Sequence, residues 1–309
     1  MPGADLDSAV RTVVRQCMGV GAGEEVLVVC NPVTEEIGAL MRIEAQGDGA
    51  EATLAVISER ETHAAEPPRP VAAAMAAADV VLAPTIQSLS HTAARKAASE
   101  AGARIATLPG VTEEMLARLM NGDLDEMRRR GWAIVNVMNG GSQVRITDAN
   151  GSDLRFSIEG REGIVDAGEL SGKGAFGNLP CGEGFIAPVE GSAEGTLVVD
   201  GSIAAIGLVD SPVRLTVAGG HLTGATGDQG ARLMELLTVH GPDGTNEEAI
   251  LTGNILEDEK IFGTAHVAFG ASAGIGGTVQ VPVHLDVVAK EPTVEIDGEA
   301  ILGGGELLI

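Results

Sequence analysis

In the first 110 residues, apolar positions alternate between two textures. Leu6, Val10, Val13, Val14 and Cys17 recur at helical spacing and predict a helix over residues 5–18. Glu25 to Cys30 is a short, nearly continuous apolar run, which predicts a buried strand. The alternation continues. A helix opens at Thr34 as N-cap, with Glu35 and Glu36 in its first turn. A strand over 53–57, an Ala-rich helix over 70–78, a strand over 79–85, a helix over 91–101 and a strand over 104–108 follow. Short strands that are apolar on both faces, separated by helices, imply a parallel sheet covered on both sides. A helical stretch over 112–131 then leads to Asn139-Gly140-Gly141, which reads as a hinge.

Beyond the hinge the hydrophobic period falls to two. Val144-Arg145-Ile146-Thr147 and Leu154-Arg155-Phe156-Ser157-Ile158 alternate apolar and polar, and Asn150-Gly151 between them is a hairpin signal. Further strands are expected over 195–200, 213–217, 264–269, 278–288 and 293–296, with one helix at 228–238. The expected architecture is α/β: an N-terminal doubly wound parallel-sheet domain over 1–139, followed by a β-rich, barrel-like domain over 140–309. A chain of 309 residues also exceeds one typical core.

Composition narrows the function. Five Phe, one Trp and no Tyr make the core aliphatic and remove tyrosine as a catalytic acid. A net charge of −24 argues against a nucleic-acid partner, which needs Lys/Arg clusters. Arg128-Arg129-Arg130 is the one dense basic run and reads as a solvated helix end. No leader pattern and no apolar run of membrane-spanning length occur, so a cytoplasmic protein without a membrane partner is expected. Cys17, Cys30 and Cys181 are odd in number and far apart, so they form no disulfide framework or metal motif. Gly19-Val20-Gly21-Ala22-Gly23 lies between a helix and a strand, the reverse of the order in a dinucleotide loop, and reads as a turn.

The candidate chemistry lies in Glu257–Gly270 and in His284-Leu285-Asp286, eighteen residues after His266. On a strand, His284 and Asp286 leave the same face, while Val281, Val283, Leu285 and Val287 occupy the other. Two readings are open: a divalent-metal site, or a buried His paired with Asp for structural reasons. His63 and His221 sit in polar or glycine-rich surroundings and read as surface residues.

Four motifs occur in order: Thr85-x-x-Ser88-Leu89-Ser90-His91-Thr92, Gly102-Ala103-Arg104-Ile105-Ala106-Thr107-Leu108-Pro109-Gly110, Gly177-Asn178-Leu179-Pro180-x-Gly182-Glu183, and the stretch around His266 with His284-x-Asp286. Together they resemble the thermophilic metallo-aminopeptidases (aminopeptidase T and aminopeptidase S). The same superfamily includes 2,5-dihydroxypyridine 5,6-dioxygenase. The resemblance implies a β-rich metal domain, a homodimer and metal ligands at Glu183, His266, His284 and Asp286. It also implies a bridging Glu. By spacing His240 stands in that place, or the segment is missing and Glu247 or Glu248 substitutes. Gly182 stands before Glu183 where the peptidases carry a second Glu.

Two reactions follow. In the hydrolase reading, placed first because Glu183 and His266 are present, Zn, Co or Mn activates water to release N-terminal residues from short peptides. Glu190 or Glu194 is then the candidate base. In the dioxygenase reading, His240, His284 and Asp286 hold Fe(II) for ring cleavage of a small molecule. His91, at the carboxyl end of a strand, is then the candidate base. His91 and His240 also admit plain roles, as a capping and a loop residue. A third reading is a degenerate member that binds metal without activity.

Overall fold

The structure is a computed structural model that describes residues 2–240, 258, 260–273, 275–281 and 284–309. It divides into two units, Met1–Met127 with Asp166–Cys181, and Arg128–Val165 with Gly182–Ile309.

The first unit is built on a five-stranded parallel sheet in the order Glu51–Val56, Glu25–Cys30, Val80–Ala83, Arg104–Thr107, Phe176–Asn178. Val80–Ala83 is buried along its whole length, as the unbroken apolar run requires of a central parallel strand. Leu27, Val29, Val81, Ala83 and Ile105 pack with Met75, Leu89 and Ala98 of the covering segments. The last strand comes from the returning segment 166–181. It docks where Ile105 N donates to Ala175 O at 2.8 Å.

Helix starts in this unit follow local chemistry. Thr92 caps the helix Ala93–Ala101 by accepting from Arg95 N, and the Glu66 carboxylate accepts from the Ala93 and Ala94 amides. Thr34 differs from its expected role. Its hydroxyl donates to Pro84 O at 2.6 Å and, with Asn31, boxes the short turn Pro32–Thr34, so the helix Glu35–Gly47 has no side-chain cap. The 19–23 glycine run is a turn, with Gly19 and Gly23 at positive φ. Arg104 clasps it through Met18 O, Gly19 O and the Glu24 carboxylate.

In the second unit an eight-stranded antiparallel sheet runs His221–Ala225, Val213–Ala218, Glu194–Val199, Asp153–Ser157, Gln143–Thr147, Thr293–Ile296, Glu299–Gly303, Glu306–Leu307. A four-stranded sheet runs Gly207–Leu208, Ser202–Ile203, His284–Lys290, Thr264–Gly270. One apolar core joins the two sheets: Ile146, Phe156, Leu197 and Leu215 from the first meet Val267, Phe269, Leu285 and Val287 from the second. The 112–131 helical stretch is two helices, Glu113–Leu119 and Leu124–Gly140. The second runs through the expected hinge because Val135 and Met138 continue the helical period into the core. Of the strand expected over 278–288, residues 284–288 lie in the strand His284–Lys290, and residues 278–281 do not form strand. Ahead of it, Ser272 N and Val279 O close a folded loop whose turn needs the positive φ of Gly276. No described helix is long and apolar enough to cross a membrane.

Candidate functional site

Register places the chemistry. Strands Thr264–Gly270 and His284–Lys290 pair antiparallel, with His266 opposite Val288, Ala268 opposite Asp286 and Gly270 opposite His284. Ala265, Val267 and Phe269 share the core face with Leu285, Val287 and Ala289. The period of two therefore puts His266, Asp286 and His284 together on the opposite face, along a diagonal of the ladder. Small residues stand across from two of them: Ala268 faces Asp286 and Gly270 faces His284.

The three side chains converge. His266 Nε2 lies 3.1 Å and His284 Nε2 3.4 Å from Asp286 Oδ1. His266 and Asp286 are buried, and His284 is the exposed member. His284 Nδ1 lies 2.8 Å from Ala271 O, which fixes the ring and directs Nε2 toward the carboxylate. Burial pushes the His266 pKa below the usual histidine range despite the adjacent carboxylate, so the ring is neutral at neutral pH. Burial alone would raise the Asp286 pKa. The His284 and His266 rings more than offset that, so the carboxyl titrates well below its usual range and is ionised.

His266 Nδ1 is buried without a hydrogen bond to any described residue. Orphaned buried donors and acceptors call for a partner. Two imidazoles and one carboxylate, one ring anchored from behind by a backbone carbonyl, are a donor set that suits a divalent transition metal. As placed, the carboxylate oxygen sits between the rings, and no group of three or more described His, Cys, Asp or Glu residues forms a coordination sphere. The donor chemistry fits the ion; the arrangement is that of the three groups in mutual contact.

Glu183 stands beside this cluster. Its charge acts on the His266 ring. Strand Glu183–Phe185 is seated against the helix Leu124–Gly140 through Gly184, where a Cβ would lie 3.0 Å from Val135 and 3.2 Å from Gly131 O. The Glu183 carboxylate is bound to Lys260 Nζ, and the Lys260 side chain is only 2% exposed. Lys260 was not among the expected site residues. In sequence it follows Glu257, Asp258 and Glu259 and reads as one more solvated charge.

His240 closes the helix Gly227–His240, and its side chain, like Glu247 and Glu248, lies outside the described residues. His91 belongs to the other unit, exposed, one residue before the Thr92 cap. Glu190 and Glu194, the expected bases, hold loops instead. Glu190 accepts from Thr278 N and pairs with Arg161, and Glu194 accepts from Gly219 N. Burial would raise the Glu190 pKa, but hydrogen bonds from backbone N–H groups and the Arg161 charge carry it below its usual range, which unsuits it as a base. His63 and His221 are exposed, and His63 Nδ1 accepts from Ser88 N.

The family model described as 2,5-dihydroxypyridine 5,6-dioxygenase matches residues 6–272. The chain belongs to this family. The matched span includes Glu183 and His266. A relative, 2,5-dihydroxypyridine 5,6-dioxygenase of Pseudomonas putida KT2440, is 24% identical over 263 residues, covering 76% of this chain and 72% of the relative. The solved structure of 2,5-dihydroxypyridine dioxygenase from the same organism superposes with a TM-score of 0.82 at 19% identity, over 99% of this chain and 97% of that one. AmpT from Thermus thermophilus superposes with a TM-score of 0.70 at 16% identity, over 99% of this chain and all of that one. Both structural likenesses concern the fold. The match in sequence is to the dioxygenase, so the findings favour the ring-cleaving alternative over the aminopeptidase reading placed first.

Proposed function

We propose that the chain is a mononuclear Fe(II)-dependent ring-cleaving dioxygenase acting on a small dihydroxylated N-heteroaromatic compound, with His266, His284 and Asp286 as the metal ligands. The observation that carries the reading is the convergence of two imidazoles and one carboxylate on one sheet face, in a chain of the 2,5-dihydroxypyridine 5,6-dioxygenase family. Two His and one carboxylate leave open positions on Fe(II) for substrate and O₂. A ferrous ion bound there supplies the redox chemistry with O₂, the oxidant, whose two oxygen atoms enter the opened ring.

The chain's own residues set the surroundings. Neutral His266 and ionised Asp286 put one negative charge on the buried side of the cluster, which favours a divalent ion there. Ala268 and Gly270 leave room over the carboxylate and over His284. Exposed His284 lies on the solvent side of the cluster, and buried His266 on the inner side. The test is substrate-dependent O₂ uptake by anaerobically purified, Fe(II)-loaded protein with 2,5-dihydroxypyridine, beside a His266→Ala variant. Uptake by the wild type alone supports the assignment; equal uptake by His266→Ala removes His266 from it.

A further inference from the structure

Arg95 carries a guanidinium that the first unit holds in place but does not pair. It rises from the first turn of the helix Ala93–Ala101. Its Cζ lies 4.0 Å from the centre of the Phe176 ring, and its Nε donates to Ser90 O at 2.7 Å. The stack and the anchored Nε fix the plane of the fork. Among the described residues, no carboxylate lies within ion-pair distance of Arg95, and Nη1 and Nη2 find no acceptor. Burial draws its pKa below the usual arginine range, and the Glu100 charge only partly offsets this. The first amides of the helix, of Ala93 and Ala94, are taken by the Glu66 carboxylate, so the donors left here are on side chains.

Asn178 adds a second fixed donor. Phe176 and Asn178 are two apart on the edge strand Phe176–Asn178 and leave the same face. Hydroxyls orient the Asn178 amide. Its Oδ1 accepts from Thr107 Oγ1 at 2.6 Å and from Ser90 Oγ at 3.1 Å, and Ser88 Oγ donates to Ser90 Oγ at 2.8 Å. Thr107 and Ser90 are buried. With Oδ1 committed to them, Nδ2 points away from the hydroxyls, and it donates to no described residue. Ser90 thus ties the two groups together, its carbonyl to Arg95 and its hydroxyl to Asn178. Arg95 and Asn178 are both half-buried, so their unclaimed N–H groups are shielded but reachable.

We propose that Arg95 and Asn178 form a binding site for a small organic carboxylate that carries a second oxygen acceptor a few bonds away. The carboxylate takes the Arg95 fork through Nη1 and Nη2, and Asn178 Nδ2 donates to the second oxygen. One planar cation matches one carboxylate in charge and shape; the second charge of a phosphate finds no partner. The site lies wholly in the first unit and is independent of His266, His284 and Asp286, which belong to the second.

NMR titration of the ¹⁵N-labelled full chain with succinamate, a monocarboxylate with an amide oxygen, is the test. The Arg95 Nε–H and Asn178 Nδ2 signals shift together along one saturable curve, with a Kd on the order of 1–10 mM. Butyrate, which lacks the second oxygen, binds about threefold to tenfold more weakly and leaves the Asn178 signal unmoved. Inorganic phosphate binds no more tightly than butyrate. Arg95→Lys keeps the charge, loses the fork and weakens succinamate binding at least about tenfold. Asn178→Asp keeps an acceptor for Thr107 and Ser90, replaces the donor by a like charge and abolishes binding. A merely structural role for the two residues would lower Tm in the variants while the wild-type signals ignored succinamate. Unmoved signals in wild type, or binding that survives unchanged in both variants, overturns the inference. Tighter binding of phosphate than of succinamate overturns the carboxylate assignment. Should Asn178→Asp fail to fold, unchanged affinity in Arg95→Lys overturns it equally.

Discussion

His266 Nε2 lies 3.1 Å from Asp286 Oδ1, a contact between two side chains that are almost wholly out of water. They meet because Asp286 sits two places along the ladder from Val288, the residue opposite His266. A neutral buried ring against an ionised buried carboxylate is costly unless a cation joins them. Asp286→Asn keeps the shape and removes the charge. It is expected to lower metal affinity and turnover together by more than about 100-fold, the upper range for loss of even an outer partner of a metal ligand. Elemental analysis beside O₂ uptake reads both, and full metal content in the variant would contradict the assignment.

The face across from Asp286 is kept small by Ala268, which is buried and directly paired with it. Ala268→Leu should overpack this face, cost about 1–3 kcal/mol of stability and abolish metal binding. Ala289→Leu, on the core face of the same sheet, should cost a similar amount in stability and leave metal binding intact. Thermal melts with and without metal distinguish the two: only the second variant keeps its metal-dependent rise in Tm.

Gly184 lets the Glu183 strand approach the helix Leu124–Gly140, with an added Cβ falling 3.0 Å from Val135 Cγ2. Gly184→Ala is expected to destabilise by about 1–3 kcal/mol and to disturb Glu183. Val135→Ala in the same chain should recover part of that loss, because it removes the side chain that is struck. A double-mutant cycle in urea measures the coupling, and strict additivity would contradict the close approach.

Arg104 and Glu24 form a two-pronged ion pair at 2.7 and 2.8 Å, closing the 19–24 turn of the first unit. The Arg104 hydrogen bond holds the Glu24 carboxyl below its usual pKa, more than offsetting the burial that would raise it. A depressed folded-state pKa means that the unfolded chain binds the proton more tightly. The stabilisation is therefore complete above the ordinary glutamate value of 4.5 and lost as pH falls through the folded value. Glu24→Gln should cost about 1–2 kcal/mol at neutral pH and lose this part of the acid sensitivity. Urea melts at pH 7 and pH 3 check it: a gap between the two proteins that stays constant would be inconsistent with this pair.

Much of this was legible in the sequence. The period change near residue 140 separated the parallel-sheet and antiparallel textures, and the strand expected over 25–30 and the helix expected over 91–101 lie within a residue or two of the observed Glu25–Cys30 and Ala93–Ala101. His284 and Asp286 on one face followed from strand period alone. What sequence could not supply was register. That His266 stands against Asp286 depends on which residues pair across the ladder, a non-local choice that no local pattern encodes. The same limit hid Lys260, whose burial depends on a partner 77 positions away. The strand Phe176–Asn178 is three residues long, too short for periodicity to register, and it belongs to a segment that returns to an earlier sheet. Glu190 and Glu194 read as free acids because nothing local announces the loops they hold.

The central claim is that His266, His284 and Asp286 hold one iron for ring cleavage by O₂. The most direct measurement is turnover of 2,5-dihydroxypyridine under ¹⁸O₂ by Fe(II)-loaded protein, with iron counted per chain. The account predicts about one iron per chain, one O₂ consumed per substrate, and both labelled oxygen atoms in the ring-opened product. Release of amino acids from peptides without O₂ uptake, by a protein carrying about two zinc or cobalt ions per chain, would contradict it.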